Sequence, residues 1–99
     1  MIKERNARGK FFILQIINIF QPIERIKLRQ ILGEVYEDRL INNIIKKLVE
    51  EQRVVEESKK LRVTRYGLKT VVPGETRMLR DKYRMHYLYE KWKKGGEAF

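Results

Sequence analysis

Five residues in the middle of the chain carry the most pointed chemistry: Arg39, Asn42, Asn43, Lys46 and Lys47. They recur every three to four positions through residues 38–51. The intervening positions are Leu40, Ile41, Ile44, Ile45, Leu48 and Val49. That alternation has the 3.6-residue period of an amphipathic helix, with one greasy side and one polar side. The polar side combines donors that pair with guanine or phosphate and amides that match the donor and acceptor of adenine. A helix bearing Arg, Asn and Lys on one face therefore suits the edge of a nucleic acid. The bland alternative is a solvated surface helix, and only the surrounding elements can decide between the two.

Two further basic groups flank this segment. Ser58, Lys59 and Lys60, with Arg62 just behind, lie between two β-prone runs, and Lys3, Arg5 and Arg8 precede the first apolar stretch. With 23 Lys and Arg against 13 Asp and Glu, the 99-residue chain has a formal charge of +10, which calls for a polyanionic partner. Glu56 and Glu57 lie beside the lysines and work against phosphate binding there. No catalytic constellation is present. His86 is the lone histidine and there is no cysteine, so thiolate metal sites and disulfides are excluded. Gly95-Gly96 is not followed by a helix that could cradle a phosphate, and Asp38 and Asp81 lack acidic neighbours suited to Mg²⁺. The expectation is a non-enzyme with no cofactor.

The elements that would position these groups form one domain with a modest core. A polar, basic arm is expected over residues 1–8. A helix over 9–20 is so apolar, with Phe11, Phe12, Ile13, Leu14, Ile16, Ile17, Ile19 and Phe20, that it should be buried on two faces. One face would meet the core and the other a second subunit. Gln21-Pro22 ends it, and residues 23–26 read as a short extended piece. A helix over 27–32 leads to Gly33, a candidate left-handed cap, and Asp38 is placed as the N-cap of the helix 38–51. Residues 53–57 and 61–63 pair as a hairpin through a loop of two or three residues. Thr64 caps a helix over 65–72, Pro73-Gly74 breaks the chain, and a long helix covers 75–94 before a loose tail at 95–99.

Helices followed by a hairpin, in this order, resemble a winged helix-turn-helix domain. Two stretches carry the resemblance. Ile45-Lys-Lys-Leu-Val-Glu-Glu-Gln-Arg-Val-Val55 looks like the family's run of Leu, two basic residues, Leu, three mostly acidic residues, Gly and the first wing strand. Leu61-Arg-Val-Thr-Arg-Tyr-Gly67 is similar to the segment that leaves the wing. Gln52 departs from the pattern, which has Gly there, so either Gln takes the left-handed turn at some strain or the turn differs. The fold implied is mainly α with a small β-hairpin (α+β). By resemblance, Arg39, Asn42, Asn43 and Lys46 face bases in the major groove and Lys47 touches phosphate. Ser58, Lys59, Lys60 and Arg62 reach a neighbouring backbone or minor groove, and Lys3, Arg5 and Arg8 follow the adjacent groove.

The helix 75–94 is not explained by that core. Leu79, Tyr83 and Tyr87 form one stripe, expected to pack on the helix 9–20. Met78, Met85, Tyr89 and Trp92, with Leu88 near them, form a second. Tyr83, Met85, Tyr87, Leu88, Tyr89 and Trp92 are the candidate dimer interface, since large aromatics favour such surfaces. The expectation is therefore an intracellular, cytoplasmic homodimer binding double-stranded DNA as a transcriptional regulator. No apolar run reaches the roughly 20 residues needed to span a bilayer. Any small-molecule effector is left unspecified. The competing expectations are a winged-helix protein-interaction module within a larger nucleic-acid machine, and an RNA or single-strand binder using exposed aromatics. The richness in Lys, Glu and Ile fits a hot habitat, an AT-rich genome or a viral regulator.

Overall fold

The computed structural model describes residues 2–33 and 36–95, omitting the side chains of residues 2–8, 90 and 93–95. The first helix, α1, is Ile2–Phe20. The basic arm expected over 1–8 is thus part of this helix from residue 2 onward. Its Lys, Glu, Arg and Ala are good helix formers and no proline interrupts them. Gly9 is not a helix start but a point of close approach: a Cβ there would lie 3.2 Å from the Ile44 side chain.

Ile13, Leu14, Ile16 and Ile17 on α1 are wholly buried, so this helix is the axis of the core. Strand β1 (Ile23–Glu24) leads into α2 (Arg25–Leu32), followed by α3 (Asp38–Glu50). The hairpin is β2 (Val54–Glu57) and β3 (Lys60–Val63), and α4 (Arg65–Leu68), α5 (Pro73–Lys82) and α6 (Arg84–Gly95) complete the chain. The architecture is mostly helical with a three-stranded antiparallel sheet in the order β1-β3-β2, an α+β arrangement. α1 contacts α3, β3, α5 and α6. Much of its second apolar face is therefore covered by the chain's own C-terminal helices, while Phe11 stays exposed.

Several local expectations change. Gly33 closes α2 in a right-handed conformation (φ −62°), and Glu37, not Asp38, is the N-cap of α3, with no side-chain capping bond. Pro73 begins α5, where its missing N–H is harmless. The helix expected over 65–72 is only four residues long, and the long C-terminal helix is two helices divided at Tyr83. The Tyr83 ring packs 6.3 Å from that of Phe12, so the chain turns where it meets α1. Of the tail 95–99, Gly95 closes α6 and residues 96–99 lie outside the described residues. Other readings hold. Gln52 does take the left-handed turn (φ 61°). The Thr64 hydroxyl accepts from the Gly67 N–H at 3.0 Å and donates to the Gln52 carbonyl at 2.6 Å.

Candidate nucleic-acid interface

α3 owes its orientation to one buried row. Ile41, Ile44, Ile45 and Leu48 are at most 2 % exposed. Seating that row against α1 forces the opposite side outward. Arg39, Asn43, Lys46 and Lys47 are all exposed, while Asn42 is half-buried at the edge. Among the described residues, no ion pair engages Arg39, Lys46 or Lys47. Leu40, Asn43, Lys46, Lys47 and Glu50 line a shallow open depression along the helix. Glu50 places one carboxylate at the C-terminal end of the polar face, so the most cation-rich part is its first three turns.

The end of α3 is held by a charge cluster. Glu51 accepts from Lys10 on α1 at 2.8 Å and from Arg53, at the base of the hairpin, at 2.9 Å. Lys10, opposed in part by burial and reinforced by Arg53, holds the Glu51 carboxyl below its ordinary value. The Arg53 guanidinium also lies over the Tyr66 ring at 4.7 Å. One carboxylate thus couples α1, α3 and the hairpin, which fixes the angle between the polar helix face and the hairpin tip.

The hairpin settles the loop length left open by the sequence. Glu57 pairs with Lys60, so the turn is the two residues Ser58 and Lys59, both with positive φ (52° and 67°). Positive φ at both central positions is the type I′ pattern, whose twist matches the flanking strands. Lys59 therefore stands at the tip. Lys60 does not share that freedom: in register it is opposite Glu57 on one side and Glu24 on the other. Two acidic residues in register with one lysine lower the local positive potential, so Lys60 is the least favourably placed of the hairpin's basic candidates. Arg62, opposite Val55, is exposed on the same outward face. Glu56 is tied to Arg25 by a two-pronged bond of 2.8 and 2.9 Å. That bond offsets part of the repulsion expected from it and braces the hairpin against α2. The parity of the strands could have revealed the Glu57–Lys60 pair, but Glu24 reaches Lys60 only through a two-residue strand with almost no sequence signature.

Lys3, Arg5 and Arg8 lie on α1, and their side chains are outside the described residues. Of the candidate dimer residues, Tyr83 and Tyr87 are placed differently from the rest. Their rings pack on Phe12 (6.3 Å) and Phe20 (6.2 Å), so they belong with Leu79 to the stripe that closes the chain's own core. Met85, Leu88, Tyr89 and Trp92 are 79, 40, 52 and 44 % exposed and form the outward side of α6. Among the described residues there is no cluster of three metal-ligating side chains, and no helix is long and apolar enough to cross a membrane. Comparison with protein-family models, curated proteins and solved structures finds no match.

Proposed function

We propose that the chain is a winged helix-turn-helix protein that binds double-stranded DNA in a sequence-dependent manner and regulates transcription as a homodimer. α2 and α3 are the helix-turn-helix pair and β2–β3 is the wing. The observation that carries the reading is the outward face of α3. Arg39, Asn43, Lys46 and Lys47 are presented together, without ion-pair partners among the described residues, beside a hairpin tipped by Lys59. Base-pairing amides and guanidinium at the centre, with cations at the flank and tip, match a division between base readout and phosphate anchoring. The +10 charge supplies the salt-sensitive part of the affinity.

The exposed apolar side of α6 supports the dimer, which would place two recognition helices roughly 34 Å apart on a pseudo-palindromic site. The same surface supports a second reading, a winged-helix module that docks on a protein partner while its charge only steers it. Substitutions separate base readout from anchoring. Arg39→Ala and Asn43→Ala are expected to erode the preference for a selected operator over random duplex, by about 1–3 kcal/mol for each bidentate base pairing removed. Lys59→Ala is expected to weaken both duplexes alike. Equal loss on both duplexes from all three variants would remove α3 from the recognition role.

A further inference from the structure

α1, the loop before α5, and α5 itself enclose a groove of about 580 Å³, within the range of about 300–1,000 Å³ typical of small-molecule sites. Its walls are apolar: Phe11 and Phe12 from α1, Val72 from the loop, and Met78 and Leu79 from α5. Phe11, Val72 and Met78 are 41, 48 and 64 % exposed, so these walls are open to solvent. Three polar side chains, Gln15, Thr70 and Glu75, break the apolar lining, and the Thr70 hydroxyl is already spent on the Gly67 carbonyl at 2.8 Å. Gln15, only 5 % exposed on the core helix, donates from Nε2 to Glu75 Oε2 at 2.7 Å and accepts from the Thr76 hydroxyl at 3.3 Å. The amide thereby pins a carboxylate against the groove wall. Among the described residues, no cation pairs with Glu75, although the chain carries ten more positive than negative charges.

We infer that this groove binds a small lipophilic cation, an aromatic body bearing one protonated amine or quaternary nitrogen. The apolar walls take the hydrocarbon and Glu75 takes the charge. Charge complementarity decides the class. Glu75 is itself exposed, and a neutral hydrocarbon seated beside it would displace part of its water with no ion pair in return. An anion would meet the same carboxylate without a counter-charge. A cation replaces the lost water with an ion pair and leaves the Gln15 bond intact. The inference is independent of the DNA reading, because the groove lies on the α5 side of α1 and shares no residue with the outward face of α3.

The test uses the full chain, labelled with ¹⁵N, and three probes that share one ring system: protonated 1-naphthylmethylamine, neutral 1-naphthalenemethanol and anionic 1-naphthaleneacetate. Amide shifts should move around residues 11–15 and 72–79. The amine should bind at least about tenfold more tightly than the alcohol, and the acetate most weakly. Glu75→Gln keeps an acceptor for Gln15 while removing the charge. It should bring the amine to the affinity of the alcohol and leave the alcohol unchanged. If that variant does not fold, added salt should weaken the amine and spare the alcohol on the native chain. Equal affinity for amine and alcohol, shifts elsewhere on the molecule, or an amine indifferent to Glu75→Gln or to salt would overturn the inference.

Discussion

Gly67→Ala should lower the melting temperature by about 10 °C, although alanine is the better helix former. The two effects oppose each other, and the structure decides which wins. Gly67 lies in the first turn of α4, where replacing Gly by Ala ordinarily stabilises by about 0.5–1 kcal/mol. A Cβ at this position, however, would meet the Arg53 carbonyl oxygen well inside van der Waals contact. It would also lie 3.0 Å from the Arg53 carbonyl carbon and 2.9 Å from Val63 Cγ1, against ordinary contacts of 3.4–4 Å. None of these is the tip of a long flexible side chain, so α4 or the hairpin base must retreat. The Arg53 carbonyl accepts from the Thr64 N–H at 2.9 Å, and a retreat strains that bond. Overpacking costs about 1–3 kcal/mol and a weakened hydrogen bond about 1 kcal/mol more. The net loss is about 2 kcal/mol, and each kcal/mol moves the midpoint by about 4–8 °C in a domain of this size. Gly74→Ala is the control. It lies in the first turn of α5 with nothing within 4 Å of the added atom, so it should raise the midpoint by a few degrees. Thermal unfolding followed by circular dichroism reads both. Shifts of the same sign in the two variants would refute the argument.

Three further outcomes are expected. Gln52→Gly and Lys59→Gly relieve left-handed backbone at φ 61° and 67° and should each stabilise by about 1 kcal/mol in urea unfolding. Lys59→Gly should also weaken duplex binding, so its stability and affinity move in opposite directions. Because the Glu51 carboxyl is held low in the folded state, its contribution is complete above about pH 4.5 and is lost as the pH falls through the lower folded value. Glu51→Gln should therefore flatten the acid limb of the stability profile, and an unchanged limb would show that the Lys10 and Arg53 bonds contribute little. Met85→Glu should convert a dimer to a monomer in sedimentation equilibrium without lowering the melting temperature of dilute protein, since that side chain is 79 % exposed.

What could be read from the sequence was local and strongly periodic. The greasy row Ile41, Ile44, Ile45 and Leu48 defined α3 to within a residue at its C-terminal end. The Thr64 cap followed from residue chemistry, and the left-handed Gln52 from the resemblance, whose pattern has Gly at that turn. The exposure of Arg39, Asn43, Lys46 and Lys47 followed too, whereas Asn42 is half-buried and Val49, read with the greasy side, is exposed at the end of the helix. What was illegible depends on contacts between distant segments. Nothing near Tyr83 signals a break; α5 and α6 part there because the ring packs on Phe12, seventy-one positions earlier. Gln15 looked like an interruption of an apolar stretch, and its partners Glu75 and Thr76 lie sixty positions away. Gly9 and Pro73 misled for a different reason. Both types usually mark boundaries, yet Gly9 sits at a close approach to Ile44 inside α1, and Pro73 is tolerated as the first residue of α5. The pairing of Glu24 with Lys60, which lowers the value of one candidate phosphate contact, required the sheet to be assembled first.

The most direct test of DNA binding is fluorescence anisotropy of a labelled random duplex of about 25 base pairs, titrated with the chain across a salt series beside single-stranded RNA of equal length. The proposed interface of α3, the hairpin tip and Arg62 predicts tight duplex binding at low salt. It predicts a log–log salt slope of several units, about 0.9 for each phosphate neutralised, and weaker binding to the RNA. A folded chain that ignores the duplex at about 50 mM salt would contradict the account, and a preference for the RNA would move the function to the exposed aromatics of α6.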